Sequence, residues 1–392
     1  MIQPPISSRS ATVPAAVIFT AGSTGPPKGV LYHHATFRGQ AMEVQRFDIA
    51  PGEIDLPGFP LFALFNAAMG VSTVIPEMDP TRPADIDPRA FIEIANDFQV
   101  TQSFGSPALW NTVSRYTEQQ SHRCLPSIRR VLSAGAPVPA HVLKRVLATV
   151  AEDAEMHTPY GATEALPVAS NSASVVLNET DALTAQGRGT CVGRRFGGMD
   201  WKVIAIQDGP IDSIDQITEL PRGNIGELLV RGPVVSHRYV TRVDANALHK
   251  VRDGETIWHR MGDVGYLDET DRFWFCGRKA HRVRTAQGPM FTICCEAIAN
   301  RHEQVYRSAL VGVGETERQQ PVMILEPWPE HWPSTDADQR RLIEEVRELL
   351  AQHEHTASIE HILLRRKLPV DIRHNSKIFR EQLAPWAARR LR

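Results

Sequence analysis

The sequence lacks any run of about 18 consecutive apolar residues, so it predicts no helix that crosses a membrane. It also lacks an excess of one charge, because 43 Lys and Arg residues stand against 45 Asp and Glu residues, a formal net charge of −2. A chain so close to neutrality has no long-range field for nucleic acid or anionic membranes, and neither partner is expected. The first residues lack the basic start of a signal peptide, which predicts a cytoplasmic protein.

Cysteine is scarce as well. The five cysteines are unevenly spaced, at Cys124, Cys191, Cys276, Cys294 and Cys295. Adjacent cysteines such as Cys294 and Cys295 rarely form a disulfide with each other, because the bond would be strained. Because the sequence has no CxxC pair and no Cys/His spacing typical of zinc, we expect buried free thiols and no zinc site.

Short apolar runs and amphipathic stretches do fill the chain, and they predict an α/β protein. Predicted strands cover 14–19, 199–206, 226–232 and 273–279. Predicted helices cover 91–98 and 141–151. After residue 279 the pattern changes to strands at 308–314 and 321–327 and a helix within 334–353, so we predict a domain boundary near Gly277–Ala280 and a small α+β domain beyond it.

The most distinctive local feature is TAGSTGPPKG at 20–29, directly after the first predicted strand. Its glycines allow backbone N–H groups to approach a ligand closely, and its hydroxyls and Lys28 add donors that can bind a polyphosphate. The loop is not a Walker A loop, because Gly29 rather than a serine or threonine follows the lysine. The alternative interpretation is an exposed glycine turn.

Three later segments carry groups that suit a nucleotide. YGATE at 160–164 places a hydroxyl beside a carboxylate, a pair that can hold Mg²⁺ against phosphate oxygens, and its tyrosine can stack on a base. In HRMGD, Asp263 follows a glycine, where a carboxylate can accept hydrogen bonds from both hydroxyls of a ribose. Arg278, at the end of a predicted strand, can reach the same sugar or a phosphate. Each segment alone could be an ordinary loop.

In this order, the segments resemble the core motifs of the adenylate-forming superfamily, which includes acyl-CoA synthetases, luciferases and adenylation domains. GELLVRGP at 226–233 and NSKIFR at 375–380 extend the resemblance, which runs from about residue 14 to the end of the chain. It implies a large multi-sheet AMP-binding α/β domain over 1–277, a small α+β lid domain over 280–392 and ATP-dependent activation of a carboxylate with Mg²⁺.

Segments 59–65, 78–83 and 369–375 resemble one branch more closely, the β-lactone synthetases of bacterial long-chain olefin biosynthesis. That branch converts a long-chain β-hydroxy acid and ATP to a β-lactone, AMP and pyrophosphate. The resemblance implies this small-molecule substrate and makes the other olefin-pathway enzymes candidate partners. Two alternatives stay open, namely a fatty acyl-CoA synthetase and an inactive nucleotide-binding remnant.

The resemblance also implies roles for individual residues. Adenine would contact Tyr160 and the SAGAP segment at 133–137. The ribose would contact Asp263 and Arg278, and the polyphosphate would contact the 20–29 loop. The implied nucleotide-binding residues are Thr20, Ser23, Thr24, Gly25, Lys28, Ala134, Gly135, Ala136, Tyr160, Gly161, Asp263 and Arg278. The implied catalytic residues are Lys377, Thr163 and Glu164, and Glu164 is also the implied Mg²⁺ ligand. Lys377 would bridge the carboxylate and the α-phosphate.

The sequence departs from the family pattern in three places. Ala21 replaces a serine of the phosphate loop, and Ser376 replaces the glycine before the catalytic lysine. Family members have well over a hundred residues ahead of the phosphate loop, where this sequence has fewer than twenty. A shortened gene product, a misassigned start or a fragment would each leave an unpaired sheet edge and an uncovered apolar face. No residue is singled out as the base for ring closure; the candidates are His33, His34, His259 and His374.

Overall fold

A computed structural model of the protein describes residues 10–20, 26–120, 122–371 and 377–391. Within these residues the chain forms one large mixed sheet flanked by helices, two small hairpins and a three-stranded sheet near the C-terminus. The α/β prediction is therefore confirmed, and so is the smaller α+β unit at the C-terminal end.

The strands are numbered in chain order. They are β1 (Pro14–Phe19), β2 (Gly29–His33), β3 (Ile54–Asp55), β4 (Ser72–Thr73), β5 (Gln102–Gly105), β6 (Arg130–Ser133), β7 (Glu155–Ala162), β8 (Ala165–Ser172), β9 (Thr190–Arg195), β10 (Asp200–Ile204), β11 (Gly226–Arg231), β12 (Lys250–Asp253), β13 (Thr256–Leu267), β14 (Arg272–Arg278), β15 (Val283–Thr285), β16 (Gly288–Met290), β17 (Val305–Val313), β18 (Gln320–Pro327) and β19 (His361–Leu364).

The α-helices follow the same order. They are α1 (His34–Gln45), α2 (Asn66–Met69), α3 (Pro88–Asp97), α4 (Pro107–Thr117), α5 (Ala140–Thr149), α6 (Ala173–Val175), α7 (Asp181–Ala185), α8 (Ala245–His249), α9 (Thr292–Ala299), α10 (Asp336–Ala351) and α11 (Arg380–Ala388). The predicted helices at 91–98, 141–151 and within 334–353 correspond to α3, α5 and α10.

The large sheet has a parallel half and an antiparallel half. Strands β4, β3, β5, β6 and β7 run parallel in that spatial order. The chain then reverses through a hairpin into β8, and β9, β14, β13, β11 and β10 continue the sheet in antiparallel pairs. Parallel strands need helical crossovers, which α3, α4 and α5 supply. The antiparallel half has a tight turn between β13 and β14, but a longer connection that carries α6 and α7 joins β8 to β9.

The crossover helices pack on the parallel half through a continuous apolar core. Phe91 of α3 and Trp110 of α4 are buried and meet edge to face, with ring centroids 6.0 Å apart. Leu143 of α5 packs into the same core beside Met156 of β7. Helix α4 begins at Pro107 because the Ser106 hydroxyl accepts a hydrogen bond from the Leu109 amide and caps the first turn.

The C-terminal sheet has the order β17–β18–β19 and its own core. Helix α10 buries Leu342, Val346 and Leu350 against this sheet, at the spacing expected of an amphipathic helix. The last strand of the large sheet, β14, ends at Arg278, and a short 3₁₀ turn, Lys279–His281, follows it. The placement of the domain boundary at Gly277–Ala280 stays a prediction.

Exposed apolar surface is concentrated in the first hundred residues. Among the described residues, the large apolar side chains that remain exposed in this part are Val17, Phe19, Met42, Phe59, Leu64, Ile75 and Phe98. The parallel half of the sheet ends at β4, a two-residue strand whose residues are both exposed. No helix in the described ranges is both long enough and apolar enough to cross a membrane. All five cysteines are buried free thiols, as predicted.

Candidate active site

A cleft of about 690 Å³ opens where strands β5 and β6 end, and it runs alongside the β7–β8 hairpin. Ligands of α/β sheets commonly bind at the carboxyl ends of such strands. Many residues proposed from sequence line this cleft: Thr20, Lys28, Ala134, Gly135, Tyr160, Gly161, Thr163, Glu164, Arg278 and Lys377. Ala136 lies just beyond the lining, and Ser23, Thr24 and Gly25 lie outside the described residues.

Asp263 is held directly behind the cleft by two of the predicted residues. The Tyr160 hydroxyl donates to Asp263 Oδ2 at 2.5 Å, and Arg278 Nη1 lies 2.9 Å from Asp263 Oδ1. The three residues come from β7, β13 and β14, so the sheet brings together positions more than a hundred residues apart. In this structure, the Tyr160 hydroxyl is thus engaged by the carboxylate predicted to bind the ribose.

The Asp263 carboxylate has an acceptor to spare. Burial raises its pKa, against the opposing effects of Arg278, Tyr160 and Lys377. Oδ1 is buried and faces Arg278 Nη1 in an ion pair, and the same nitrogen donates to the Met261 carbonyl. A carboxylate oxygen has two lone pairs, so Oδ1 can accept a further hydrogen bond from a ligand hydroxyl.

The YGATE segment turns out to be the end of a strand rather than a loop. Tyr160, Gly161 and Ala162 finish β7, and Thr163 and Glu164 form the turn into β8. Gly161 is required there, since a Cβ at this position would lie 2.6 Å from the Ala165 carbonyl oxygen. The Tyr32 hydroxyl donates to the Thr163 carbonyl at 2.6 Å, which fixes the turn against β2.

Glu164 is a buried carboxylate surrounded by cations and a phenol. Tyr239 Oη donates to its Oε1 at 2.6 Å, and Lys28 Nζ lies 3.7 Å from the same oxygen. Burial acts to raise the Glu164 pKa, but the Tyr239 bond and the charges of Lys28 and Lys250 outweigh it, so that pKa lies below its ordinary value. The carboxylate is therefore ionised at neutral pH and suited to a divalent cation.

The two ends of the phosphate loop are joined by hydrogen bonds. Thr20 N donates to the Lys28 carbonyl at 3.0 Å, and Lys28 N donates to Thr20 Oγ1 at 3.0 Å. Strands β1 and β2 continue this pairing below the loop. Thr20 and Lys28, which both line the cleft, therefore lie next to each other. Across the cleft, Gly135 has φ +98°, a left-handed conformation that glycine adopts without strain.

Lys377 reaches the cleft from the C-terminal part of the chain. Its carbonyl accepts from Asp371 N at 2.9 Å, and Phe379 N donates to the Pro369 carbonyl at 2.9 Å, so it lies at the end of a short antiparallel ladder. It lines the cleft, and its charge lowers the pKa of Asp263. The C-terminal part of the chain thus contributes a residue to the cleft beside the large sheet.

Sequence reasoning missed several groups around this site. Tyr239 and Lys250 lie in a polar connection and a short strand that carry no recognisable motif, and both are buried beside Glu164. Of the candidate bases, His259 is buried, and burial together with Lys250 and His249 lowers its pKa well below the usual range. His33 contacts His237, with ring centroids 5.7 Å apart, and His374 lies outside the described residues.

The structure combines a large mixed sheet, a smaller C-terminal sheet and a cleft lined by residues from both ends of the chain. This combination is typical of an adenylate-forming fold. The chain belongs to the AMP-binding enzyme family, whose model matches residues 2–240. Two solved structures share the fold: ATP-bound MatB from Rhodopseudomonas palustris (TM-score 0.73, 20% identity, 98% of this chain and 70% of that chain), and O-succinylbenzoate coenzyme A synthetase (MenE) from Bacillus subtilis with ATP and magnesium ion (TM-score 0.73, 20% identity, 95% and 70%).

Two curated relatives are much closer in sequence. The olefin β-lactone synthetase of Xanthomonas campestris pv. campestris is 47% identical over 381 residues, which cover 95% of this chain and 67% of that protein. The olefin β-lactone synthetase of Stenotrophomonas maltophilia is 45% identical over 383 residues, with 96% and 67% covered. The resemblance to the adenylate-forming superfamily and to this branch is therefore confirmed.

Proposed function

We propose that the chain adenylates a long-chain β-hydroxy acid with ATP and closes the product to a β-lactone, releasing AMP and pyrophosphate. The observation that carries the proposal is the convergence of Asp263, Glu164, Lys28 and Lys377 on one cleft. The identity to two olefin β-lactone synthetases supports the choice of reaction. Because the reaction consumes ATP, we propose that it takes place in the cytoplasm. We propose the other olefin-pathway enzymes as protein partners.

Each group has a role that its surroundings support. Asp263 Oδ1, which faces Arg278 in an ion pair, would accept a further hydrogen bond from the ribose. Ala134 and Gly135, with Ala136 beside them, would flank the adenine together with Tyr160 and Gly161. Thr20 and Lys28 would bind phosphate oxygens with Ser23, Thr24 and Gly25. Thr163 would contact the phosphates, and Glu164 would hold Mg²⁺, which neutralises phosphate charge when it is bound.

The chemistry then needs two displacements. A substrate carboxylate oxygen attacks the α-phosphorus, and pyrophosphate leaves with the electron pair of the broken P–O bond. Negative charge develops on the leaving pyrophosphate, and Lys377 supplies positive charge there. Such a contribution is worth about 3–4 kcal/mol for a well-placed donor. The substrate's β-hydroxyl oxygen then attacks the acyl carbon and loses its proton, and AMP leaves. Because this second step is intramolecular, proximity replaces an external acceptor.

The apolar end of the cleft suits an alkyl chain. Its walls there include Val44, Phe47, Ile49, Phe65, Met69 and Leu132. Burying a methylene contributes about 0.8 kcal/mol, so a long chain gains affinity from such a surface. We further propose that residues 1–277 form the nucleotide-binding unit and residues 280–392 a lid that carries Lys377.

Product analysis tests the proposal directly. The protein is incubated with a long-chain β-hydroxy acid, ATP and Mg²⁺, with and without CoA. We expect pyrophosphate, AMP and a product lighter than the acid by one water, whether or not CoA is present. A thioester formed only with CoA would instead assign a fatty acyl-CoA synthetase, and ATP binding without pyrophosphate release would assign a nucleotide-binding remnant.

A further inference from the structure

Tyr239 lies beside Glu164, the candidate metal ligand, and is held at both its backbone and its hydroxyl. It is 1% exposed and lies in the connection between β11 and α8. Its amide donates to Asn246 Oδ1 at 2.8 Å, and Asn246 Nδ2 donates back to the Tyr239 carbonyl at 3.1 Å. The backbone is thus fixed at one end of the residue, while the hydroxyl is fixed at the other by Glu164.

Two ammonium groups lie against the Tyr239 ring. Lys28 Nζ is 5.0 Å from the ring centroid, and Lys250 Nζ is 5.4 Å from it. Lys250 is buried, and its ammonium donates to the carbonyl and the hydroxyl of Ser236. Cation–π contacts of this kind help to hold an aromatic ring in place.

These contacts leave one Glu164 oxygen for a ligand. Both the Tyr239 bond and the Lys28 contact are made to Oε1, so neither uses Oε2. The described residues contain no group of three or more His, Cys, Asp and Glu side chains that could hold a metal by themselves. Mg²⁺ at nucleotide sites commonly takes one or two carboxylates and completes its shell with phosphate oxygens and water. The direction of a single carboxylate is then decisive.

We propose that Tyr239 is a positioning residue that orients the Glu164 carboxylate for the Mg²⁺–nucleotide complex. The inference rests on the proposed function and adds a residue that no motif indicated. Tyr239 acts through Glu164, since its hydroxyl bonds to the carboxylate rather than facing the nucleotide. Partners of this kind typically change metal affinity by 10- to 100-fold when they are removed.

The test measures ATP affinity by calorimetry, without a carboxylic acid, in saturating Mg²⁺ and in EDTA. The ratio of the two affinities is the Mg²⁺ enhancement. Tyr239→Phe keeps the ring and removes only the hydroxyl, and we expect the enhancement to fall by about tenfold while the affinity in EDTA changes by less than about twofold. Tyr266→Phe is the matched control, because its hydroxyl donates to the Arg188 carbonyl at 3.0 Å away from the cleft lining.

A double-mutant cycle separates positioning from general damage. Glu164→Gln should lower the Mg²⁺ enhancement at least as far as Tyr239→Phe does. The double variant should have the same enhancement as Glu164→Gln alone. An unchanged enhancement in Tyr239→Phe, or equal losses in Mg²⁺ and in EDTA, would overturn the inference but leave the proposed function standing. A wild-type protein that binds no ATP under either condition would overturn both. Thermal unfolding of each variant checks that the fold is retained.

Discussion

The cleft and helix α9, which packs on the C-terminal sheet, each contain a buried glutamate that contacts a cation, but the two glutamates differ in their partners and in the direction of their pKa shifts. Glu164 lines the cleft and its pKa is lowered, despite its burial, by Tyr239, Lys28 and Lys250. Glu296, in α9, accepts from Arg380 Nη2 with both oxygens, at 2.6 and 2.8 Å, and its pKa is raised because burial outweighs Arg380.

The difference separates a carboxylate that serves a ligand from one that serves the fold. Glu296 also accepts from Leu310 N at 2.8 Å, so its acceptors are used within the protein. Arg380 follows Lys377 by three residues, and its anchor ties the start of α11 to α9. Glu164 lines the cleft, and both Tyr239 and Lys28 contact its Oε1.

Breaking the structural pair should have the largest effect. Arg380→Met leaves Glu296 as a buried carboxylate without its cation, and we expect the free energy of unfolding to fall by about 3–5 kcal/mol at pH 7. The control is Arg347→Met, because Arg347 pairs with Glu344 on the exposed face of α10 and should matter by less than about 0.5 kcal/mol. Denaturant unfolding compares the two, and equal losses would contradict the distinction.

Removing the lysine that the C-terminal ladder carries should affect chemistry rather than stability. Lys377→Ala should slow pyrophosphate release by about 10²–10³-fold, because its charge serves mainly the transition state. ATP affinity and the unfolding midpoint should stay close to wild type. A variant that releases pyrophosphate at the wild-type rate would assign the chemistry to another residue.

Removing the proposed ribose acceptor should produce an intermediate effect on binding. Asp263→Ala should weaken ATP binding by about 1.5–3 kcal/mol, because it removes hydrogen bonds to a buried charged group. The wild type should also prefer ATP to 2′-deoxy-ATP, and the variant should lose that preference. An unchanged preference, measured by calorimetry, would place the ribose elsewhere.

The smallest effect should appear in the pH dependence of unfolding. Glu164 has a folded-state pKa below its ordinary value of 4.5, so its contribution to stability is present above pH 4.5 and is lost as the pH falls through the folded value. Glu296 has a raised pKa, so its contribution is present below pH 4.5 and is lost as the pH rises through the folded value. Subtracting the curves of Glu164→Gln and Glu296→Gln from wild type should give opposite slopes; parallel slopes would contradict the comparison.

The sequence predicted the elements best where periodicity and local turn chemistry agree. Helix α10 shows both, since its buried leucines and valine recur at helical spacing and Thr335 caps its start. Most of the site residues that the family motifs indicated line the cleft, because such segments combine glycine with donors in a recognisable order. The conformation of YGATE was harder to predict from the sequence. Nothing local indicates that a side chain at Gly161 would clash with the Ala165 carbonyl across a hairpin.

The α/β class, the family and the residue types that a nucleotide site requires all follow from the order of the residues alone. Which of those groups meet depends on how the strands and connections pack. Asp263 is paired with Tyr160 across the sheet, and Tyr239 is enclosed with Lys28 and Lys250 behind Glu164. These contacts join residues far apart in the chain, and their effect on the Glu164 charge depends on burial and distance, which arise only when the strands and connections pack together.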